Sequence, residues 1–354
     1  MSNKSKNKKI LITGGAGFIG INTADYFINK GWDVVIFDNF SRKGVDKNIL
    51  WLKNKHKDKK NKINVVKGDL VTDYNKLKSN VSKVSAVIHL AAQVAVTTSV
   101  EDPRYDFENN VITTFNVLEA IRLSTNRPSL IYASTNKVYG GLEHHKIKEL
   151  KNRYEFKYLK NGVNEKENLD FHSPYGCSKG SADQYVRDYS RIYNMNTVVC
   201  RQSCIYGQNQ FGIEDQGWVA WFIIASALKR PITIFGTGKQ IRDILYVDDL
   251  SRLYYMILLK INKANGNCYN VGGGPSNTLS LIELLHLLKI KYDTNIKLSY
   301  KASRTGDQPV YVSDIRKIYN DIGWKPKYTT KVGVNLLIDW VESNKDMIKD
   351  VLKK

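Results

Sequence analysis

The stretch Lys9-Ile-Leu-Ile-Thr13, followed without a break by Gly14-Gly15-Ala16-Gly17-Phe18-Ile19-Gly20, decides the fold of this chain. A short continuous apolar run closed by glycines reads as a buried strand, and the residues after Gly17 carry a helical pattern. Strand, tight turn and helix in direct succession have a physical use. Glycines let the backbone turn sharply and approach a pyrophosphate, while the helix start offers unpaired N–H groups and the positive end of its dipole. The next strand ends in Asp38, 18 residues beyond Gly20. A carboxylate there accepts hydrogen bonds from ribose hydroxyls and repels a 2′-phosphate, which favours NAD over NADP. Arg42, close by in sequence, softens that preference.

Working outward, β-rich runs alternate with helical ones. Strands are expected at 9–13, 33–38, 63–67, 86–90, 129–133 and 197–200, and helices at 18–30, 110–123 and 175–193. Such alternation is the signature of a doubly wound parallel sheet, an α/β Rossmann-type fold. Past Arg201 the pattern loosens into shorter mixed elements, such as those at 216–227, 247–260, 279–288 and 332–344. Residues 9–201 are therefore expected to form the NAD-binding domain. Residues 202–345 would form mainly a smaller α/β substrate lobe, some of whose strands return to the main sheet. Residues 1–8 would be a basic tail.

The 354 residues are 42% hydrophobic, enough for a real core. No stretch approaches the roughly 20 apolar residues that a membrane span needs, and the polar start lacks a secretory signal pattern. A cytoplasmic protein without membrane association is expected. Four cysteines make no disulfide scaffold and show no zinc-site spacing, so no metal is expected. The net charge of +20 comes largely from lysines, crowded in residues 1–9 and 53–62. These runs lack interleaved aromatics or an RNA-binding signature, and read as solvated loops rather than a nucleic-acid surface.

Tyr175-Gly-Cys-Ser-Lys179 opens the helix expected at 175–193, and spacing i, i+4 puts both side chains on one face. A phenol with a pKa of about 10 is a poor base. A neighbouring ammonium and a positively charged nicotinamide would favour the phenolate and bring it into range.

The Gly14, Gly17, Gly20 spacing together with Tyr175 and Lys179 resembles the extended short-chain dehydrogenase/reductase superfamily. That resemblance implies cofactor contacts from Gly14, Gly17, Phe18, Ile19, Gly20, Asp38, Asn39, Ser41 and Arg42. It adds Asp69 and Leu70 beside adenine, Leu90, Ala91, Ala92 and Gln93 along the dinucleotide, and Asn110 at the next helix, besides Tyr175 and Lys179. Thr135 matches the family's Ser/Thr, which hydrogen-bonds the reacting hydroxyl. Sugar-nucleotide 4,6-dehydratases of this superfamily carry an Asp-Glu pair next to it as acid and base. This chain has Asn136 and Lys137, which argues against dehydration and places both residues against substrate. Arg242 and Arg304 resemble the family's phosphate-side arginines, since a guanidinium engages two diphosphate oxygens at once. Cys204 stands where most relatives carry an Asn near those phosphates.

Five stretches narrow the resemblance: Asp38 to Gly44, Gln93 to Ser99, Ser134 to Gly140, Asp170-Phe-His-Ser-Pro-Tyr-Gly-Cys-Ser-Lys-Gly180, and Asp215-Gln-Gly-Trp-Val-Ala-Trp-Phe222, the last two being the most specific. They look like the CDP-paratose 2-epimerase family, also called CDP-tyvelose 2-epimerases. The resemblance implies a CDP-sugar substrate, C-2 inversion by transient oxidation and hydride return, and a homodimer or homotetramer. An epimerase acting at C-4 of a UDP-sugar is the neighbouring alternative. A dinucleotide-sensing protein without catalysis would have no use for Thr135, Tyr175 and Lys179.

Overall fold

The computed structural model describes residues 8–292, 296–304 and 306–353. Residues 1–7 of the expected basic tail lie outside the described residues. Seven strands form the main sheet: β1 Lys9–Thr13, β2 Asp33–Asp38, β3 Ile63–Lys67, β4 Ala86–His89, β5 Ser129–Thr135, β6 Thr197–Gln202 and β7 Cys268–Val271. All pairings are parallel, in the order β7-β6-β5-β4-β1-β2-β3. The strand order reverses between β1 and β4, so a crevice opens above their carboxyl ends.

The strands are apolar because both faces are covered. On one face helices Phe18–Asn29 and Val247–Leu259 press Phe27, Leu253 and Ile257 against Ile10, Ile12 and Val34. On the other, Tyr74–Val81, Thr113–Arg122 and Ser173–Tyr193 bury Leu77, Val117, Ile121 and Val186 against Leu11, Val87 and Leu130. β3 is a sheet edge and alternates in exposure, whereas β7 is wholly buried.

β7 comes from the second half of the chain and pairs with β6 in the register Cys268↔Val199. Other second-half strands build a smaller sheet around Ile241–Tyr246, flanked by Thr278–Ser280, Val310–Tyr311 and Cys204–Tyr206, while Ile232–Phe235 and Leu298–Lys301 pair in parallel as a separate two-stranded sheet. Helix Trp218–Ala227 is apolar nearly all round because it runs through that lobe's own core. Among the described residues no helix is long and apolar enough to cross a membrane.

Several ends differ from the sequence expectation. β5 and β6 run on to Thr135 and Gln202, carrying polar residues out to the crevice. The element expected at 279–288 is a helix only from Leu281, because Thr278–Ser280 pairs with Ile241–Asp243 as an edge strand. The Lys-rich run at 53–62 is not all loop: Lys53 and Lys55 close the helix Val45–Lys55, where cations suit the dipole.

Behind the site, Asp183 on the Tyr175 helix and Arg201 on β6 form an ion pair with side chains 0% and 1% exposed. Arg201 Nε and an Nη donate to the carboxylate at 2.9 and 3.1 Å, and Ser134 Oγ donates to it at 2.8 Å. Removing one partner leaves a buried charge uncompensated. Arg201→Met should therefore lower unfolding stability by about 3–5 kcal/mol in urea titrations. The double change Arg201→Met/Asp183→Leu should recover most of that loss; a single change without effect would contradict the account.

Candidate active site

The glycine turn is held by backbone packed on backbone. Gly14 has φ +63°, and a Cβ there would stand 2.7 Å from the Ala91 nitrogen. A Cβ on Gly20 would stand 2.4 Å from Gly14 O, inside the turn itself. The first helix starts at Phe18 with Gly17 as its N-cap, with no side-chain cap and no acidic residue in its first turn. Its leading N–H groups thus remain available to an anion. Asn48 Nδ2 donates to Ala16 O at 3.0 Å and pins the turn from the helix behind.

Asp38 ends β2 against this turn. Its carboxylate accepts from Ala16 N at 3.0 Å and Phe40 N at 2.8 Å. Burial raises its pKa above the usual carboxylate range, and these amides together with the Arg42 charge pull against that. Arg42 itself donates to Gln216 Oε1 at 2.6 Å, joining the two halves of the chain. Asn39 Nδ2 donates to Asp69 Oδ2 at 3.0 Å, so these two expected contacts meet beyond the ends of β2 and β3, with Leu70 buried beside them. Ser41 is exposed, its N–H held by Asn39 Oδ1 at 3.1 Å. Leu90, Ala91 and Ala92 follow β4 directly, and the Leu90 and Ala91 amides face Thr13 Oγ1 at 3.2 and 3.4 Å. Gln93 folds onto the Ala95 backbone, Nε2 donating to its carbonyl at 2.7 Å.

Tyr175 and Lys179 lie one turn apart in helix Ser173–Tyr193, both buried. Thr135, at the end of β5, stands beside Tyr175. In the protein alone, burial pushes Tyr175 up to about 12, with the Thr135 hydroxyl acting the other way. Burial brings Lys179 down to about 7, against the pull of Asp106 and Asp183. The Lys179 ammonium sits 4.3 Å from the Tyr132 ring centroid. The protein by itself thus favours a neutral phenol and weakens the lysine charge, because both groups sit in a desolvated pocket.

Residues not assigned from sequence complete this centre. Asp106 accepts from Asn110 Nδ2 at 3.0 Å and from Ser178 Oγ at 2.5 Å, and Asn110 also donates to Ser178 at 2.9 Å. Asn110 does not open a helix as expected. It sits in a π-helical turn, Glu108–Ile112, inside a helical run from Pro103 to Arg122. Its Oδ1 is a buried acceptor without a partner among the described residues. His89 bridges Thr13 Oγ1 at 2.7 Å and Thr114 Oγ1 at 3.1 Å, and burial lowers its pKa to about 3, keeping it neutral. Sequence signals for part of this existed. Asp106 precedes Asn110 by one helical turn, and Asp183 follows Lys179 by one.

Asn136, Lys137 and Arg242, expected on the substrate side, are drawn to one segment, residues 306–308. Asn136 Nδ2 donates to Gln308 Oε1 at 2.9 Å, and Lys137 Nζ to Gly306 O at 3.0 Å. Asp307 receives Arg242 at 2.6 Å and has Lys137 at 3.7 Å, so one carboxylate serves two cations. Burial first, then Arg242, lowers Lys137 to about 8. Arg304 instead pairs with Asp215 at 2.7 Å and stacks 3.9 Å from the Phe235 centroid. Cys204 lies on the strand beside Ile244, close enough to feel Arg242, and burial raises its thiol to about 11.

The sequence model of the GDP-mannose 4,6-dehydratase family matches residues 11–337. The chain belongs to this family. Its similarities reach across several activities. It is 45% identical over 346 residues to a CDP-paratose 2-epimerase of Salmonella typhi, covering 95% of this chain and 99% of that protein. It is 32% identical to a putative UDP-glucose 4-epimerase of Methanocaldococcus jannaschii, covering 95% and 99%. A UDP-glucuronic acid 4-epimerase of Bacillus cereus, solved in complex with UDP-glucuronic acid and NAD, superimposes with a TM-score of 0.80 at 25% identity, covering 95% and 99%.

The lysine has a measurable signature. Its pKa of about 7 lies below the ordinary 10.5, so across that window the folded state binds fewer protons than the unfolded one. Its burial cost is full below pH 7 and fades as pH rises towards 10.5. Lys179→Met should accordingly be more stable than the parent at pH 7, with the gap closing by about pH 10 in urea midpoints. A gap that stays constant with pH would show that Lys179 is not held in this state.

Proposed function

We propose that the chain is a cytoplasmic, NAD-dependent epimerase that inverts C-2 of a CDP-linked dideoxy sugar, converting CDP-paratose to CDP-tyvelose. The observation that carries this reading is the 45% identity, over nearly the full length of both chains, to a CDP-paratose 2-epimerase. The geometry supports the same reading, since Thr135, Tyr175 and Lys179 adjoin Asn136 and Lys137 with no carboxylate pair to shuttle an elimination proton.

The glycine turn, in which a Cβ at Gly14 or Gly20 would meet backbone, fits a closely approaching pyrophosphate. In this reading Gly14, Gly17, Phe18, Ile19 and Gly20 hold the pyrophosphate of NAD. Asp38, Asn39, Ser41 and Arg42 surround its ribose, Asp69 and Leu70 its adenine, and Leu90 to Gln93 with Asn110 its remaining length. Residues 9–201 serve the cofactor and 202–345 mainly the nucleotide sugar. Arg242 and Arg304 face the diphosphate with Cys204 nearby, exchanging Asp307 and Asp215 for phosphate oxygens.

A sugar C-2 hydrogen has no adjacent carbonyl to acidify it, so inversion calls for oxidation first. NAD, when bound, brings a positive charge to the site, accepts the C-2 hydride and gives it back. Tyr175 removes the C-2 hydroxyl proton as the carbon is oxidised, and Thr135 steadies the developing carbonyl oxygen. Lys179 supports the phenolate. The keto-sugar, tethered through its diphosphate, turns its other face, and Tyr175 returns the proton as the carbon is reduced.

Exposed Phe107, Phe115 and Tyr185 lie on the Asn110 and Tyr175 helical segments, with the Phe115 and Tyr185 rings 6.3 Å apart. Large apolar groups in one exposed patch suit a partner surface, here a second copy, giving a dimer or tetramer. Phe115→Asp/Tyr185→Asp should lower the mass seen by light scattering, and an unchanged mass would move the interface elsewhere.

The deciding experiment is turnover in deuterated water with CDP-paratose, beside a panel of UDP-sugars. CDP-tyvelose should form with its C-2 hydrogen retained, and Tyr175→Phe should lose about 10²–10⁴-fold in rate while still carrying NAD. Solvent label at C-2 would contradict hydride return. Turnover of UDP-glucose or UDP-glucuronic acid alone would favour C-4 chemistry, the reading to which the 32% identical relative points.

A further inference from the structure

Between the end of β5 and the Tyr175 helix the chain makes a long excursion, residues 141–172, whose two ends meet through side chains. His144 Nε2 lies 3.0 Å from Glu167 Oε1, and His145 Nε2 lies 2.8 Å from Glu167 Oε2. The two nitrogens and the carboxylate all lie within 4.8 Å of one another. We propose that His144, His145 and Glu167 form a binding site for a Zn²⁺-class cation, separate from the catalytic centre.

The ligand set has the right chemistry. Two imidazoles and one carboxylate, with water in the remaining positions, suit Zn²⁺, Co²⁺ or Ni²⁺. Mg²⁺ and Ca²⁺ call for oxygen shells. Two of the three ligands are already fixed. The His145 N–H donates to Leu142 O at 3.0 Å, and its ring meets Phe156 edge-on at 5.6 Å. Glu167 closes a turn whose N–H donates to Asn164 O at 3.1 Å, and its Oε1 accepts from Asn168 N at 3.3 Å. The His145 and Glu167 side chains are only 22% and 14% exposed, whereas His144 is 59% exposed, so the site opens to solvent on one side. There a cavity of about 190 Å³, lined by both histidines with Phe156, Tyr158 and Leu159, leaves room for water ligands. Lys146 also lines that cavity and opposes a cation, which favours a metal held by covalent character over one held by charge alone. The site uses no cysteine, and the carboxylate partner of the His-His pair lies 22 residues beyond His145.

A cation at this point would cross-link residues 144–145 to residue 167. The first segment follows the turn Asn136–Tyr139, and the second precedes helix Ser173–Tyr193. The consequence is a metal-dependent gain in thermal stability.

The test uses full-length protein without a histidine tag, stripped with chelator and carrying its nucleotide cofactor, titrated with Co²⁺ as the visible stand-in for Zn²⁺. One equivalent should bind with the absorption of four- or five-coordinate Co²⁺, Zn²⁺ should displace it, and either should raise Tm. His144→Ala and Glu167→Gln should each weaken binding at least ~10-fold, the scale on which protein metal sites respond even to loss of an outer partner. His172→Ala, whose ring pairs with Asp170, should leave binding intact. Because His144 is exposed, His144→Ala decides the matter should Glu167→Gln fail to fold. Absence of the cobalt spectrum, or unchanged affinity in His144→Ala, would overturn the proposal.

Discussion

Everything in the crevice depends on how closely the backbone at Gly14 and Gly20 approaches its neighbours. Gly20 packs onto the carbonyl of Gly14, and Gly14 packs onto the amide of Ala91, at separations that no side chain survives. The first contact starts the helix immediately after β1, and the second draws the end of β4 against the same turn. The switch point of the sheet therefore becomes a cleft with backbone N–H groups on its floor. Asp38 contributes to this order, since its carboxylate spans Ala16 N and Phe40 N and thereby ties the end of β2 to the turn. Thr13 adds a second tie by bridging the β4 amides and His89.

Over that floor the ionisable groups are buried more deeply than their charges prefer. Tyr175 stays a phenol, Lys179 loses much of its ammonium character and His89 is neutral, each driven first by desolvation. Asp106 and Asp183 are the counterweights. Asp106 is bound to Asn110 and Ser178 at one end of the lysine's turn, and Asp183 is clamped by Arg201 and Ser134 at the other. Such a site is poised rather than charged. A positive group arriving beside the phenol changes its protonation far more in this low-dielectric pocket than it would in water.

The turn, the strand β1 and the Tyr175–Lys179 helix were legible in the sequence because each has a local signature: glycine spacing, an apolar run, an i, i+4 pair. What the sequence concealed depends on distant contacts. β7 is four residues whose apolar character fits any buried strand, and only its pairing with β6 assigns it to the main sheet. The π turn at Asn110 leaves no mark in hydrophobic periodicity. Asp307 and Gln308 reach Lys137, Arg242 and Asn136 across more than 60 residues in every case, so spacing carries no trace of them. The raised phenol of the protein alone was hidden for a related reason. The chemistry of the pair is local, whereas the burial that dominates it is supplied by the whole fold.

The replacement of an acid pair by Asn136 and Lys137 alters more than a proton relay. Lys137 and Arg242 share Asp307, so this wall holds two cations against one carboxylate, buried enough to lower Lys137 towards 8. A carboxylate in place of Lys137 would stand beside Asp307, and the two would repel each other. With Lys137 present, Asp307 is balanced and Arg242 is held in position, while Asn136 is fixed by a neutral amide pair with Gln308 that does not titrate. The wall can therefore bind anionic oxygens without offering a proton donor of carboxylic strength. In the proposed reaction, proton transfer falls to Tyr175 on the facing helix. An acid–base step that takes a proton and returns it to the same oxygen needs one such group, whereas elimination of water needs a second. The charge pattern of this wall and the economy of the opposite face thus point to the same kind of reaction, one that ends with the redox state in which it began.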